Sequence, residues 1–196
     1  MITNIMLDIE TLGTRPGCVV LSTAFVRFSD EAHMSINLSV PDQEMLGLEK
    51  DESTLAWWRD QEAKQPGTWA RATEGAQPLA IALPYITQWL QWAVPDGDFL
   101  IWCHGAPFDC PILGEVYRRA NYPCLWGQNG ARNEYWRIQD TRTLYNLAGI
   151  DVKKFAVPPP HVALNDAIEQ TRAAKAALEI LAWAHQREQA HLQGTY

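Results

Sequence analysis

Within the run NIMLDIETLG, Asp8 and Glu10 stand one residue apart among mostly apolar neighbours. Successive side chains of a strand point to opposite faces, so these two carboxylates share a face. Side by side they repel, and desolvating them costs several kcal/mol unless a cation lies between them, most simply a divalent metal ion. Taken alone, the pair also describes two solvated acids at a strand tip ahead of Gly13.

Two more acids bear on that choice. Asp109 follows the apolar run FLIWCHG, at a strand-to-helix junction where sheet enzymes place functional groups and where Asp also caps helices. Asp166 falls one turn inside the last helix, between Ala163 and Ala167, small residues that let a helix approach a sheet closely. A polar side chain there needs a partner, although on an amphipathic helix it can equally face solvent. His161 and Asp166 lie about 140° apart on a regular helix. Pro158, Pro159 and Pro160 instead hold the chain out of the helix, so His161 stands at its entrance and can swing back over the site. A neutral imidazole there can take a proton from a metal-activated water near pH 7.

These residues need a scaffold. NIMLDI, VVLSTAFVRF and HMSINLSV, separated by the turn-like GTRPG and SDEA, predict a three-stranded antiparallel meander. The period then becomes helical in ESTLAWWRDQEAK, closed by Pro66-Gly67, and in PLAIALPYITQWLQWA. FLIWCHG predicts a strand, DCPILGEVYRRA a helix, EYWRIQD a strand leading into the helical TRTLYNLAG, and the stretch from His161 to Glu188 the last long helix. The expectation is an α/β domain in which a mixed five-stranded sheet, the meander plus two parallel strands, is flanked by helices. One domain over 1–196 is expected, with its core in 2–187 and a frayed tail.

Composition excludes several classes. The 196 residues are 47% hydrophobic, enough for a sizeable core, and no run approaches the length of a membrane span. With no basic-then-apolar leader at the N-terminus, a cytoplasmic location is expected. Cys18, Cys103, Cys110 and Cys124 lack metal-ligand spacing and read as reduced, inert thiols. A net charge of -7 argues against broad capture of nucleic acid, but carboxylates that bind cations are part of that count.

In order and separation, DIETLGT, HGAPFDCPIL and HVALNDAIEQ resemble the motifs of the DEDDh 3'-to-5' exonucleases, the DnaQ-like branch of the ribonuclease H-like superfamily. STLAWWRDQ and RIQDTRTL add similarity to its RNase T-like phage and bacterial subgroup. The resemblance runs from about Ile5 to Ala174. It implies a ribonuclease H-like fold and two divalent ions, Mg2+ or Mn2+, held by Asp8, Glu10, Asp109 and Asp166, with His161 as general base. It further implies in-line attack of an activated water on the terminal phosphodiester, releasing a nucleoside 5'-monophosphate. Thr11 and Leu12 match positions that hold the terminal nucleotide, and Phe108, just before the second-motif acid, is expected to bind substrate as well.

Some residues resist transfer. His104 stands where subgroup relatives carry Asn, and its spacing to Asp109 repeats that of His161 to Asp166; closing a strand ahead of Gly105, it reads as structural or substrate-facing. Asp140 reads as positioning the helix that follows it. Of the adjacent Trp57 and Trp58, about 100° apart on a helix, one can face the core while the other lines a groove and stacks on bases. Single-stranded DNA ends are the expected substrate and RNA the alternative, with a homodimer compatible. A nucleic-acid-binding module without turnover is the reading from another class, and the intact set of acids with the histidine argues against it.

Overall fold

Alternation in the first strand sets the architecture. In the computed structural model, which describes residues 2–126 and 135–192, β1 (Thr3–Thr11) sits at the centre of a five-stranded sheet. β2 (Val20–Arg27) pairs with it antiparallel, and β3 (His33–Asn37) pairs antiparallel with β2. On the other side β4 (Phe99–Cys103) and β5 (Ile138–Asp140) run parallel to β1, giving the order β3-β2-β1-β4-β5. This is the expected meander plus two parallel strands.

Each face of the sheet has its own core. Ile5, Leu7 and Ile9 of β1 pack with α2 (Glu52–Lys64), α4 (Leu79–Ala93) and α5 (Asp109–Arg119), where Trp58, Leu83, Ile86, Ile112 and Leu113 are buried. The opposite face presents Met6, Ala24 and Val26 to α7 (Ala163–Leu192), whose Ala163, Ala167, Ala173, Ala174 and Ala177 are at most 3% exposed. Asp8 and Glu10 continue the Met6 face, so they project toward the alanine face of α7.

Two helices differ from expectation. HMSINLSV was expected to remain extended, but α1 (Val40–Met45) begins where Ser39 Oγ accepts the Asp42 N–H. Its Gln43 is fully buried, exchanging hydrogen bonds with both the N–H and the C=O of Val20 at 2.8 and 2.7 Å. A side-chain amide thus stands in for a strand partner, and that long-range pairing has no local sequence pattern. α3 (Thr68–Thr73) follows Gly67, whose φ of +89° turns the chain sharply after α2.

EYWRIQD was expected as one strand; its first residue lies outside the described residues, and Tyr135–Arg137 form a 3-10 turn before the three residues of β5. Arg137, 8% exposed, explains the break, because its guanidinium tucks under β4 to donate to the Phe99 carbonyl at 2.7 Å. The frayed tail was expected beyond 187; α7 runs on to Leu192, and 193–196 lie outside the described residues.

Candidate active site

The pairing of β1 with β4 ends at Met6 and Trp102, so the β1 stretch carrying Asp8 and Glu10 extends beyond the parallel pair at the carboxyl end of the sheet. Asp109 reaches this point through a turn at Gly105, whose φ of +120° suits glycine. The turn is tied down from β5, since Asp140 Oδ2 accepts the Ala106 N–H at 2.8 Å while Oδ1 caps α6 (Thr141–Ala148) through the Thr143 N–H. Asp140 therefore positions both the helix after it and the loop that delivers Asp109. Against desolvation, these N–H donors hold the Asp140 carboxyl below its ordinary value.

α7 supplies the fourth acid. Asp166 Oδ2 accepts the backbone N–H of His161 at 3.1 Å, closing the loop between the prolines and the helix. His161 has φ +59°, a left-handed conformation in the segment preceding Ala163. Ligating atoms of Glu10, His161 and Asp166 lie within 4.8 Å of one another.

Electrostatics tie in the remaining two acids. Burial pushes the Asp8 carboxyl well above its ordinary value, and Asp109, Glu10 and Asp166 raise it further. Burial, then Asp166 and Asp109, raise Glu10 to about 8. Asp109, 4% exposed, is raised by burial to about 7, against backbone N–H groups of its own residue and Ile9. Asp166 rises to about 6 through burial and the neighbouring Glu169. Burial lowers His161 from its ordinary value, which favours its neutral imidazole.

Four carboxyls raised chiefly by burial, with Asp8 and Glu10 raised further by Asp109 and Asp166, are what a divalent-cation site looks like without compensating charge, and a set of carboxylate oxygens suits Mg2+ or Mn2+. The acids and the imidazole therefore fit such ions.

Beside the cluster is an open cavity of about 400 Å3, floored by Ile9, Glu10 and Thr11 and walled by Ser53, Thr54, Trp57 and Phe108. Trp57 is 39% exposed and meets the His161 ring edge-on at 4.8 Å.

Three expected substrate contacts take other positions. Trp58 is 2% exposed, and its indole N–H donates to the Thr11 carbonyl at 2.9 Å, so it buttresses β1 and cannot stack on a base. Leu12 is 1% exposed, its side chain in the core rather than the cavity, because β1 has turned after Thr11. His104 packs on Tyr145, and its Nδ1 lies 3.0 Å from Thr141 Oγ1. That hydroxyl donates to the Cys103 carbonyl, so Nδ1 carries the proton and His104 ties β4 to α6. The four cysteines are buried free thiols, Cys124 raised by burial to about 12.

The reading from residues did not find Ile9, Thr14, Ser53 and Thr54 as cavity walls, nor Gln170, whose Nε2 donates to Asp8 Oδ1 at 2.7 Å. Gln170 follows Asp166 by four residues, and that spacing was the available clue.

A mixed sheet in this order is a ribonuclease H-like fold, and the four acids and the histidine at its carboxyl end stand as the DEDDh resemblance implies. The family model of the 3'-5' exoribonuclease Rv2179c-like domain matches residues 3–178, and the chain belongs to that family of 3'-5' exonucleases. No curated protein sequence matches the chain.

Among solved structures, cell-death related nuclease 4 (CRN-4) is similar with a TM-score of 0.59 and 13% identity, covering 91% of this chain and 64% of that one. The chain thus spans just under two thirds of CRN-4. The nuclease domain of 3'hExo, a DEDDh family member bound to rAMP, gives a TM-score of 0.54 and 10% identity over 90% of this chain and 92% of that one. At these identities the likeness is one of fold. No helix among the described residues is long and apolar enough to cross a membrane.

Proposed function

We propose that this site hydrolyses the 3'-terminal phosphodiester of single-stranded nucleic acid and releases nucleoside 5'-monophosphates. The observation that carries the reading is the convergence of Asp8, Glu10, Asp109 and Asp166, distant in sequence, near enough that Asp109 and Asp166 raise the Asp8 and Glu10 carboxyls, beside His161. In this reading the four carboxylates hold two divalent cations, which would supply Lewis acidity at the attacking and leaving oxygens.

The chain's own residues do the rest. Neutral His161 accepts a proton as a water oxygen adds to phosphorus and the bond to the 3'-oxygen of the preceding nucleotide breaks. Trp57 and Phe108 frame the terminal base, and Glu10 and Thr11 border its sugar at the cavity floor. Burial keeps bulk water from screening these charges.

In this reading the chain falls in the RNase T-like subgroup, an assignment supported by the motifs STLAWWRDQ and RIQDTRTL. Sequence alone put DNA ends first; the exoribonuclease description of the family weighs toward RNA, and we propose RNA as the preferred strand.

The test uses matched DNA and RNA oligonucleotides, with free or blocked 3' ends, in Mg2+, Mn2+ or EDTA, beside Asp8→Ala and His161→Asn. Asn is chosen because it tolerates the left-handed backbone of His161. Stepwise shortening from free 3' ends, lost in EDTA and in both variants, is expected. Cleavage in EDTA, or full activity of Asp8→Ala, overturns the assignment.

A further inference from the structure

Gln170 lies one turn beyond Asp166 on α7, so both side chains leave the helix on the face that meets β1. It is 7% exposed, and its Nε2 donates to Asp8 Oδ1 at 2.7 Å. Its main chain is fixed as well, because the buried Tyr145 hydroxyl donates to the Gln170 carbonyl at 2.8 Å. The side-chain Oε1, by contrast, is buried with no hydrogen-bond partner among the described residues.

That orphan oxygen separates a structural amide from a functional one. A buried carbonyl without a donor destabilises the fold, and an apolar side chain of similar volume would relieve it. What an apolar side chain cannot supply is an N–H aimed at Asp8. With Asp8 ionised, the NH2 end is the only part of the amide that can face it. The bond occupies one carboxylate oxygen of Asp8 and leaves the other for the cluster.

We propose that Gln170 is a positioning residue: it holds the Asp8 carboxylate in one orientation for cation binding, at a cost to the stability of the unloaded fold. The proposal rests on the metal-dependent reading above. Hydrogen-bonding partners of metal ligands are worth about 10- to 100-fold in metal affinity or activity, and Gln170 holds this relation to Asp8.

The test compares wild type, Gln170→Met, Asp8→Ala and the double variant, as the full chain, by calorimetric Mn2+ titration, thermal melting in EDTA and exonuclease kinetics. Gln170→Met is expected to melt in EDTA at or above the wild-type temperature and to bind Mn2+ about tenfold or more weakly. It should lose kcat with little change in oligonucleotide KM, and higher Mn2+ should restore part of that loss. In the Asp8→Ala background, Gln170→Met should add no further weakening.

Mn2+ affinity equal to wild type overturns the inference, and so does a full further loss in the double variant. A melting temperature well below wild type, shared by Gln170→Leu, identifies packing and overturns it too. If wild type itself binds no Mn2+, the metal-dependent function fails; if wild type binds and Gln170→Met binds equally, only the role of Gln170 fails.

Discussion

Replacing Glu10 by Gln should stabilise the metal-free protein, and do so increasingly as pH rises. Glu10 is 9% exposed and meets no cationic side chain in the interactions described; burial, Asp166 and Asp109 raise its carboxyl from 4.5 to about 8. The folded state therefore binds a proton more tightly than the unfolded chain does. Stability from that proton is complete below 4.5, declines as the unfolded chain ionises and is lost once the pH passes about 8. Gln, neutral throughout and of the same shape, escapes the decline. The interval from 4.5 to about 8 sets a ceiling of about 5 kcal/mol. Because the four acids share that strain and water relaxes around them, about 1–2 kcal/mol is expected at pH 8. For a chain of this size that is a rise of about 2–8 °C in Tm. The assay is melting of wild type and Glu10→Gln in EDTA at several pH values from 5 to 9, repeated with Mn2+. The two should coincide near pH 4.5 and separate steadily above it, and Mn2+ should stabilise wild type far more than Glu10→Gln. Equal melting temperatures at pH 8, or a lower one for Glu10→Gln, would refute the claim that these acids are held together against their mutual repulsion.

Other substitutions separate the remaining roles. Trp57→Ala should weaken oligonucleotide binding by about 1–3 kcal/mol, read as Kd, with a smaller loss of Tm than Trp58→Ala, because Trp57 borders the cavity and meets Trp58 and His161 edge-on. Trp58→Ala, removing a buried ring and its hydrogen bond to Thr11, should cost about 3–5 kcal/mol in denaturant unfolding. His161→Asn should lower kcat by about 10²- to 10⁴-fold while Mn2+ titration still shows binding by the acids. Asp140→Ala should cost about 1–2 kcal/mol of stability through the lost cap, and should also lower kcat, since it frees the Ala106 loop leading to Asp109.

What the sequence revealed followed short-range rules. Alternation put Asp8 and Glu10 on one face, proline and glycine closed α2 at Lys64, and the three prolines turned His161 out of α7. What it hid depended on partners far along the chain. Gln43 becomes a strand surrogate only because Val20 lies beside it, and Arg137 breaks a strand only because the Phe99 carbonyl is within reach. Which tryptophan faced inward was open because α2 is polar nearly all round, with Trp58 its one buried residue. Leu12 was misplaced because the register shift between Glu10 and Thr11 ends regular alternation just before it. Gln170 looked like any polar residue of a long helix until Asp8 was found opposite it.

The alanines of α7 join stability to chemistry. Ala163 and Ala167 bring the helix close against Met6 and Ala24, and this contact excludes water from the space that Asp166 shares with Glu10. Close packing therefore contributes to the desolvation that raises these carboxyls. A bulkier helix face would relieve the electrostatic strain by standing off the sheet, and would lose the cation site with it. If the proposed function holds, a substitution that lifts α7 off the sheet should lower both stability and cation affinity, the first read by thermal melting in EDTA and the second by Mn2+ titration.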